Sequence, residues 1–434
     1  MRRIAVLSYL FLASGIWADP RTYDEVLAVP QKTVVDFFLL CPDLGIQRSP
    51  DPSLFEVALG APEGGDPAQR GRDFLFRQKL LTKGQVAPGL KVTSVLVDQK
   101  NAYIKIEGVH RDRYPFSLVF VYFENAQKAR IPALTYHYEA MEEETDFHRF
   151  YDLSGGSWQP IPNDKLFGEI SEKLLIPYAG TGDASNIAWA LELPQYGTTV
   201  RFLPRQAAFE GDTSLDYLAR LEKYALECSW NKTQARFDAA KPVWADKTDV
   251  PKGKPQAADL LPLLPGQSLE DLGLAADSGL RKARDQWKAQ KTNPADYFHV
   301  DGNPDLGHTS VSLKLLGQYQ GLPLVAQVSD NEQIHELFLW VYHPESGLLE
   351  PSSLLHVTGK DFYQGVRKSE VPSSWTMGHM SDVYAVSAEE PGVSVSLDTW
   401  HDQDLQEFPP DFELTFVWDD KKQSFVKTEK RLEN

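Results

Sequence analysis

One order of short apolar segments and turn residues occurs twice in this chain, and that recurrence constrains its fold more than any other feature. Asp36-Phe37-Phe38-Leu39-Leu40-Cys41-Pro42 is echoed by Asp259-Leu260-Leu261-Pro262-Leu263-Leu264-Pro265, each an apolar run closed by proline. A polar stretch rich in helix formers follows in both halves, at 70–81 and 280–291. Strands then come in one order. Residues 92–107 stand against 309–318, and 116–124 against 322–328. A hairpin of 147–152 and 158–161, turning at Gly155-Gly156, stands against 336–342 and 348–351, turning at Ser346-Gly347. Within 336–342 both alternating sets are apolar (Leu337, Leu339, Val341 and Phe338, Trp340, Tyr342), which predicts a strand covered on two faces. The halves also end alike. Trp189 to Pro194, then Gly197 and 198–202, match 384–390, then Pro391-Gly392 and 393–397. Residues 224–230, a polar turn at Asn231-Lys232-Thr233 and Phe237 match 412–418, Asp419-Asp420 and Phe425.

Proline and glycine between apolar runs are hairpin punctuation, because such turns need unusual backbone angles. The expected fold is α+β and β-dominated: two tandem diverged copies of an antiparallel-sheet domain, each with one or two packing helices. Unit 1 is placed at 33–237 and unit 2 at 258–427. Residues 239–256 carry Pro242, Pro251 and Pro255 among lysines and aspartates, a linker composition. A period of about two hundred residues excludes a solenoid built from units of about 20–50.

Arg2 and Arg3, an apolar run from Ile4 to Trp17, and small residues at Ala13, Gly15 and Ala18 follow the order of a secretory signal peptide. Residues 1–18 are therefore expected to be removed and the protein to be exported, periplasmic or extracellular. The run of about 14 residues is short of the ~20 that span a bilayer. No later segment is apolar enough to do so, so a soluble mature chain is expected. The formal charge of −17 becomes −19 without Arg2 and Arg3. A surface that acidic repels nucleic acid and anionic lipid. Cys41 and Cys228 are the only cysteines, which excludes a disulfide scaffold. They align with apolar Leu264 and Phe416 of the other half, so the two are expected to be buried near each other, with a Cys41–Cys228 bridge open to them after export.

No motif supplies a complete catalytic, cofactor or metal site. Asp301, Asn303 and Asp305 place three oxygen side chains at alternate positions, as calcium loops do. Leu306 stands where such a loop needs glycine and Ser312 where it needs a closing glutamate, so a solvated turn is the better reading. Glu142, Glu143 and Glu144 with Asp146 and His148 read as a charged loop. Asp305, His308 and Ser310 form a compact Ser/His/Asp set, but triads are assembled from distant segments and no Gly-x-Ser-x-Gly elbow is present. Most tryptophans read as core. Trp375 and Trp400, beside His379 and His401, are the candidates for an aromatic binding surface with a polar rim. The expected function is an exported non-catalytic binding or protein-interaction protein, with no cofactor and an unknown protein or small ligand as partner. Two alternatives stand beside it: a cell-envelope hydrolase with a spatially assembled site, and an inhibitor or structural component docking onto another envelope protein.

Overall fold

Antiparallel strands dominate the computed structural model, with 46% of residues in strand and 20% in helix, so the β-rich half of the expectation holds. The structure describes residues 21–48, 55–59, 67–111, 113–139, 144–180, 182, 187–206, 215–264, 277–290, 293–301, 310–331, 334–355, 380–399 and 412–431. Two compact units emerge. Unit 1 comprises Met1–Ser171, Asp183–Leu218 and Ala225–Lys241; unit 2 comprises Glu172–Gly182, Ala219–Tyr224 and Pro242–Asn434. Among the described residues no helix is long and apolar enough to cross a membrane.

Unit 1 opens on the helix Val34–Leu40. Its N-cap Thr33 accepts from the Asp36 N–H while the Asp36 carboxylate accepts from the Thr33 N–H, a reciprocal cap that satisfies two otherwise orphaned donors. All seven helical residues are buried. Strands β1 (Leu44–Arg48) and β2 (Phe55–Leu59) form a small hairpin. A seven-stranded meander follows: β3 (Gly84–Ala87), β4 (Leu90–Asp98), β5 (Tyr103–His110), β6 (Tyr114–Glu124), β7 (Arg130–Glu139), β8 (Glu144–Asp152) and β9 (Gln159–Ile161). One face carries Ile104, Ile106, Phe116, Leu118, Phe120 and Leu134 against the helices Val34–Leu40 and Pro67–Leu80. Phe38 meets Phe120 edge-on there, ring centroids 5.7 Å apart.

A buried polar knot fixes this layer. Arg77, on the helix Pro67–Leu80, donates to the carbonyls of Leu39 and Leu44, the first belonging to the helix end that has no intrahelical partner. Asp43 accepts from the Tyr151 hydroxyl at 2.6 Å and from Arg149. The Cys41 thiol lies 3.9 Å from the same hydroxyl. Buried charges persist only when paired, and here they are.

The opposite face of the meander meets a second sheet: β10 (Ile187–Glu192), β11 (Thr199–Gln206), β12 (Tyr224–Asn231) and β13 (Arg236–Phe237); β14 (Lys241–Trp244) follows in the chain. Phe123, Phe150, Phe167, Phe202, Trp230 and Phe237 interlock between them, Phe167 stacking on Phe237 at 4.6 Å. Trp230 Nε1 donates to the Glu124 carbonyl at 2.8 Å. The Asn231 side chain accepts from the N–H groups of Thr233 and Gln234, Ala235 takes a φ of 51°, and the Phe237 ring returns to 5.1 Å from Trp230.

Unit 2, taken by itself, is layered in the same sequence. The 3-10 segment Ala257–Leu263 opens where the Gln256 N–H donates to the Asp259 carboxylate at 2.9 Å and the Asp259 N–H to the Gln256 main-chain carbonyl at 3.0 Å. A five-stranded meander follows: β15 (Tyr297–Asp301), β16 (Ser310–Tyr319), β17 (Leu322–Asn331), β18 (Ile334–His343) and β19 (Leu348–Pro351). Ala326, Val328 and Leu339 pack on Val393, Val395, Leu414 and Phe416 of a second sheet. That sheet is β20 (Met380–Ala385), β21 (Val393–Thr399), β22 (Phe412–Asp419) and β23 (Ser424–Arg431). Trp418 Nε1 donates to the Asp420 carboxylate at 3.0 Å and to the Gln318 carbonyl at 3.2 Å. Asp419 accepts from the N–H groups of Lys421 and Lys422, Gln423 takes a φ of 51°, and Phe425 lies 5.2 Å from Trp418.

Three expectations are corrected. Residues 92–107 are two strands, β4 and β5, divided by a turn in which Asp98 accepts from the Asn101 N–H and side chain; no glycine or proline marks it. Residues 239–256 are ordered rather than a bare connector. They contain β14, a turn held by Asp246 and Thr248, and buried Asp249 paired with Arg281 and Arg284 on the helix Asp277–Ala289. Cys41 and Cys228 are both buried but form no bridge. Cys41 ends the first helix and turns toward Tyr151, whereas Cys228 sits on β12 opposite Val200 of β11. Burial pushes both thiols up to about 11. Native protein should therefore leave a thiol reagent untouched and give two equivalents in denaturant; fewer than two would restore the bridge. Raised folded pKa values mean the unfolded thiols ionise first, so stability should fall between about pH 9 and 11. Chemical denaturation at stepped pH reads that fall, which should shrink in Cys41→Ala.

Candidate functional site

The face of the unit 1 meander that meets the second sheet is apolar at one end and polar at the other. Alternation along the strands decides which side chains share it. Register sets Lys105 beside Val119 and Thr135, and Glu107 beside Ser117 and His137; Thr135 in turn neighbours His148. Where the Phe cluster stops, these polar residues begin, and the two sheets leave a cleft of about 280 Å³. Tyr103, Lys105, Ser117, Thr135, His137 and His148 line it from the meander. Ala190, Leu191, Glu192 and Leu193 line it from β10 and its end, Leu203 and Arg205 from β11.

The charges of the cleft are unevenly answered. Lys105 pairs with Glu107 at 2.6 Å, and Glu192 with Arg201 at 3.3 Å. The Asn163 side-chain nitrogen lies 2.8 Å from His148 Nε2, and the Phe202 ring stands edge-on to the imidazole. Arg205 keeps a buried Nε–H that meets no acceptor. Burial raises the Tyr103 hydroxyl above its ordinary range, and Glu107 and Glu192 raise it further. β10 is the last strand of its sheet, so its outer main-chain edge has no ladder partner in that sheet.

Unit 2 carries a different constellation. His299 Nδ1 lies 2.9 Å from Ser312 Oγ, and His299 Nε2 lies 3.2 Å from Asp301 Oδ1. The chain of contacts is that of a serine nucleophile, base and orienting acid, but the exposures are reversed. Ser312 is 9% exposed while the Asp301 side chain is 86% exposed. A nucleophile must be reachable and its orienting acid shielded. The set reads as a cross-strand link that ties β15 to β16.

Of the residues singled out from sequence, Asp301 is engaged with His299, and His148 lies in the cleft. Asn303, Asp305, His308, Trp375, His379, Trp400 and His401 lie outside the described residues. Ser310 pairs in register with Asp301 and Asp330. Among the described residues no group of three or more His, Cys, Asp or Glu side chains is arranged to hold a metal ion. Lys105, Ser117, Thr135, His137 and Arg205 were missed. Their signal was present: polar residues at i, i+2 inside strands otherwise rich in Val, Ile, Leu and Phe.

No protein-family model and no curated protein matches the chain. Among the solved structures that match is a domain of an uncharacterized protein from Porphyromonas gingivalis W83. It covers 38% of this chain and 87% of its own, at 12% identity and a TM-score of 0.22, too low to carry an argument.

Proposed function

We propose that the chain is an exported, non-catalytic binding protein whose unit 1 cleft holds a small polar ligand. The observation that carries this reading is the cleft itself. It is a concave site between two sheets with convergent hydroxyl, imidazole and guanidinium groups, lined on one side by four consecutive residues of β10 and its end, 190–193. Export rests on the charge and apolar order of residues 1–18, and the reversed exposures at Ser312 and Asp301 weigh against that set as a catalytic triad.

The two units are read as diverged copies of one ancestor. The support is positional: Asp36 and Asp259 each accepting from the main-chain N–H three residues before, and the Trp–Asx-turn–Phe lock at Trp230 and Trp418. Counting back from the shared hairpin sets β16 opposite β6. That moves the sequence-based pairing of the earlier strands.

Screening small polar compounds against the full chain by amide NMR tests the binding reading. At least one compound should shift signals of β7 and β11 and emerge unchanged. Turnover of that compound would favour an enzyme. A screen in which no compound moves those signals would remove the cleft as the site.

A further inference from the structure

We infer that the ligand of the unit 1 cleft is a small carboxylate that also bears hydroxyl or amide groups; this rests on the binding reading above. Three observations converge. First, among the described lining residues with a permanent charge, Arg205 stands apart. Lys105 and Glu192 have ion pairs, whereas the Arg205 Nε–H is buried with no acceptor. A buried guanidinium donor without a partner is costly, and an oxyanion is the group whose geometry matches its fork. Second, β10 and Arg205 offer complementary chemistry. Four consecutive residues of β10 and its end, 190–193, line the cleft, so main-chain groups border it beside the side chains. Ser117 and Thr135 add hydroxyls from the meander, so the remainder of the ligand should be polar on more than one side. Third, size and charge limit the anion. About 280 Å³ lies at the small end of ligand pockets, so the cleft suits a single sugar-sized molecule and not a polymer or peptide. Glu192 lines the same space and Glu107 abuts it, so a dianion meets more repulsion than a monoanion does. Carboxylate is therefore favoured over phosphate.

D-Glucuronate and D-glucose form a matched pair of probes, differing in a carboxylate for a hydroxymethyl group; inorganic phosphate is the third arm. Each would be titrated into the full chain, its amide signals at 133–137 and 203–205 followed, for the wild type, Arg205→Gln and the exposed-site control Arg236→Gln. Glucuronate should give saturable shifts that weaken at least about tenfold in Arg205→Gln and stay unchanged in Arg236→Gln, because a charge-assisted bond is lost only in the first. Glucose should bind no better to the wild type than to Arg205→Gln. Phosphate binding tighter than glucuronate would overturn the carboxylate assignment. So would glucose binding as well as glucuronate, or glucuronate unaffected by Arg205→Gln, while both leave the cleft in place as a binding site. No saturable shift from glucuronate, when other compounds do move the cleft signals, also overturns it. Only a cleft silent to every compound removes the underlying reading.

Discussion

Trp230→Ala and Trp418→Ala should each cost about 3–5 kcal/mol, the range for emptying a buried tryptophan site. Both indoles are nearly buried, both donate Nε1–H to a main-chain carbonyl of the neighbouring meander, and both press a phenylalanine returned by the same kind of turn. Phenylalanine at either place keeps most of the apolar contact and loses the hydrogen bond, so Trp230→Phe and Trp418→Phe should cost about 1–3 kcal/mol. Urea unfolding read by circular dichroism gives the comparison. Costs of similar size are expected at both sites, because the two indoles are about equally buried. A loss below about 1 kcal/mol at either indole would mean that its contacts are incidental to stability.

Asp43→Ala should be comparably severe, at about 3 kcal/mol or more, because it strips a buried carboxylate from two donors at once. The Tyr151 hydroxyl, fully buried, would be left with the weak Cys41 thiol contact. Arg149 is about one-third exposed and can recover part of its loss from water, which keeps the expected cost at the lower end. For a unit of about 200 residues this corresponds to a melting temperature lower by roughly 6–12 °C. Asp43→Asn retains an acceptor for Tyr151 and should lose about half as much. A fall of less than about 2 °C in Asp43→Ala would assign the anchoring of this layer to Arg77 and the apolar contacts alone.

The sequence exposed the parts of the fold that depend on local chemistry. The apolar runs closed by Pro42 and Pro265 mark the two buried helical segments, and apolar alternation at 336–342 marks β18 without help from the rest of the chain. It hid what depends on distant partners. The turn between β4 and β5 is made by Asp98 and Asn101 without glycine, so two strands read as one. β7 includes Pro132, which argues against a central strand by composition, but it pairs only with Tyr122 of β6; pairing with β8 begins at Ala133, so the missing N–H falls outside that ladder. Asp249 looked like part of a solvated linker because Arg281, its partner, lies 32 residues further on. The cleft was illegible for the same reason. Lys105, Ser117 and His137 come from three strands that only the register brings to one face, and Arg205 reaches the cleft from β11 of the facing sheet.

The interleaving of the two units has a consequence for the order in which the chain is made. Every piece of unit 1 leaves the ribosome before the main body of unit 2, so unit 1 can fold first. Two segments of unit 2, Glu172–Gly182 and Ala219–Tyr224, are synthesised within that early stretch. They carry Leu175, Leu221 and Tyr224, side chains that end fully or almost fully buried. The main body of the unit to which these groups belong begins at residue 242, so they leave the ribosome ahead of it. A single cut or truncation anywhere in the middle of the sequence would leave them stranded on the wrong fragment. Neither half of this gene product, expressed alone, carries a whole unit 2.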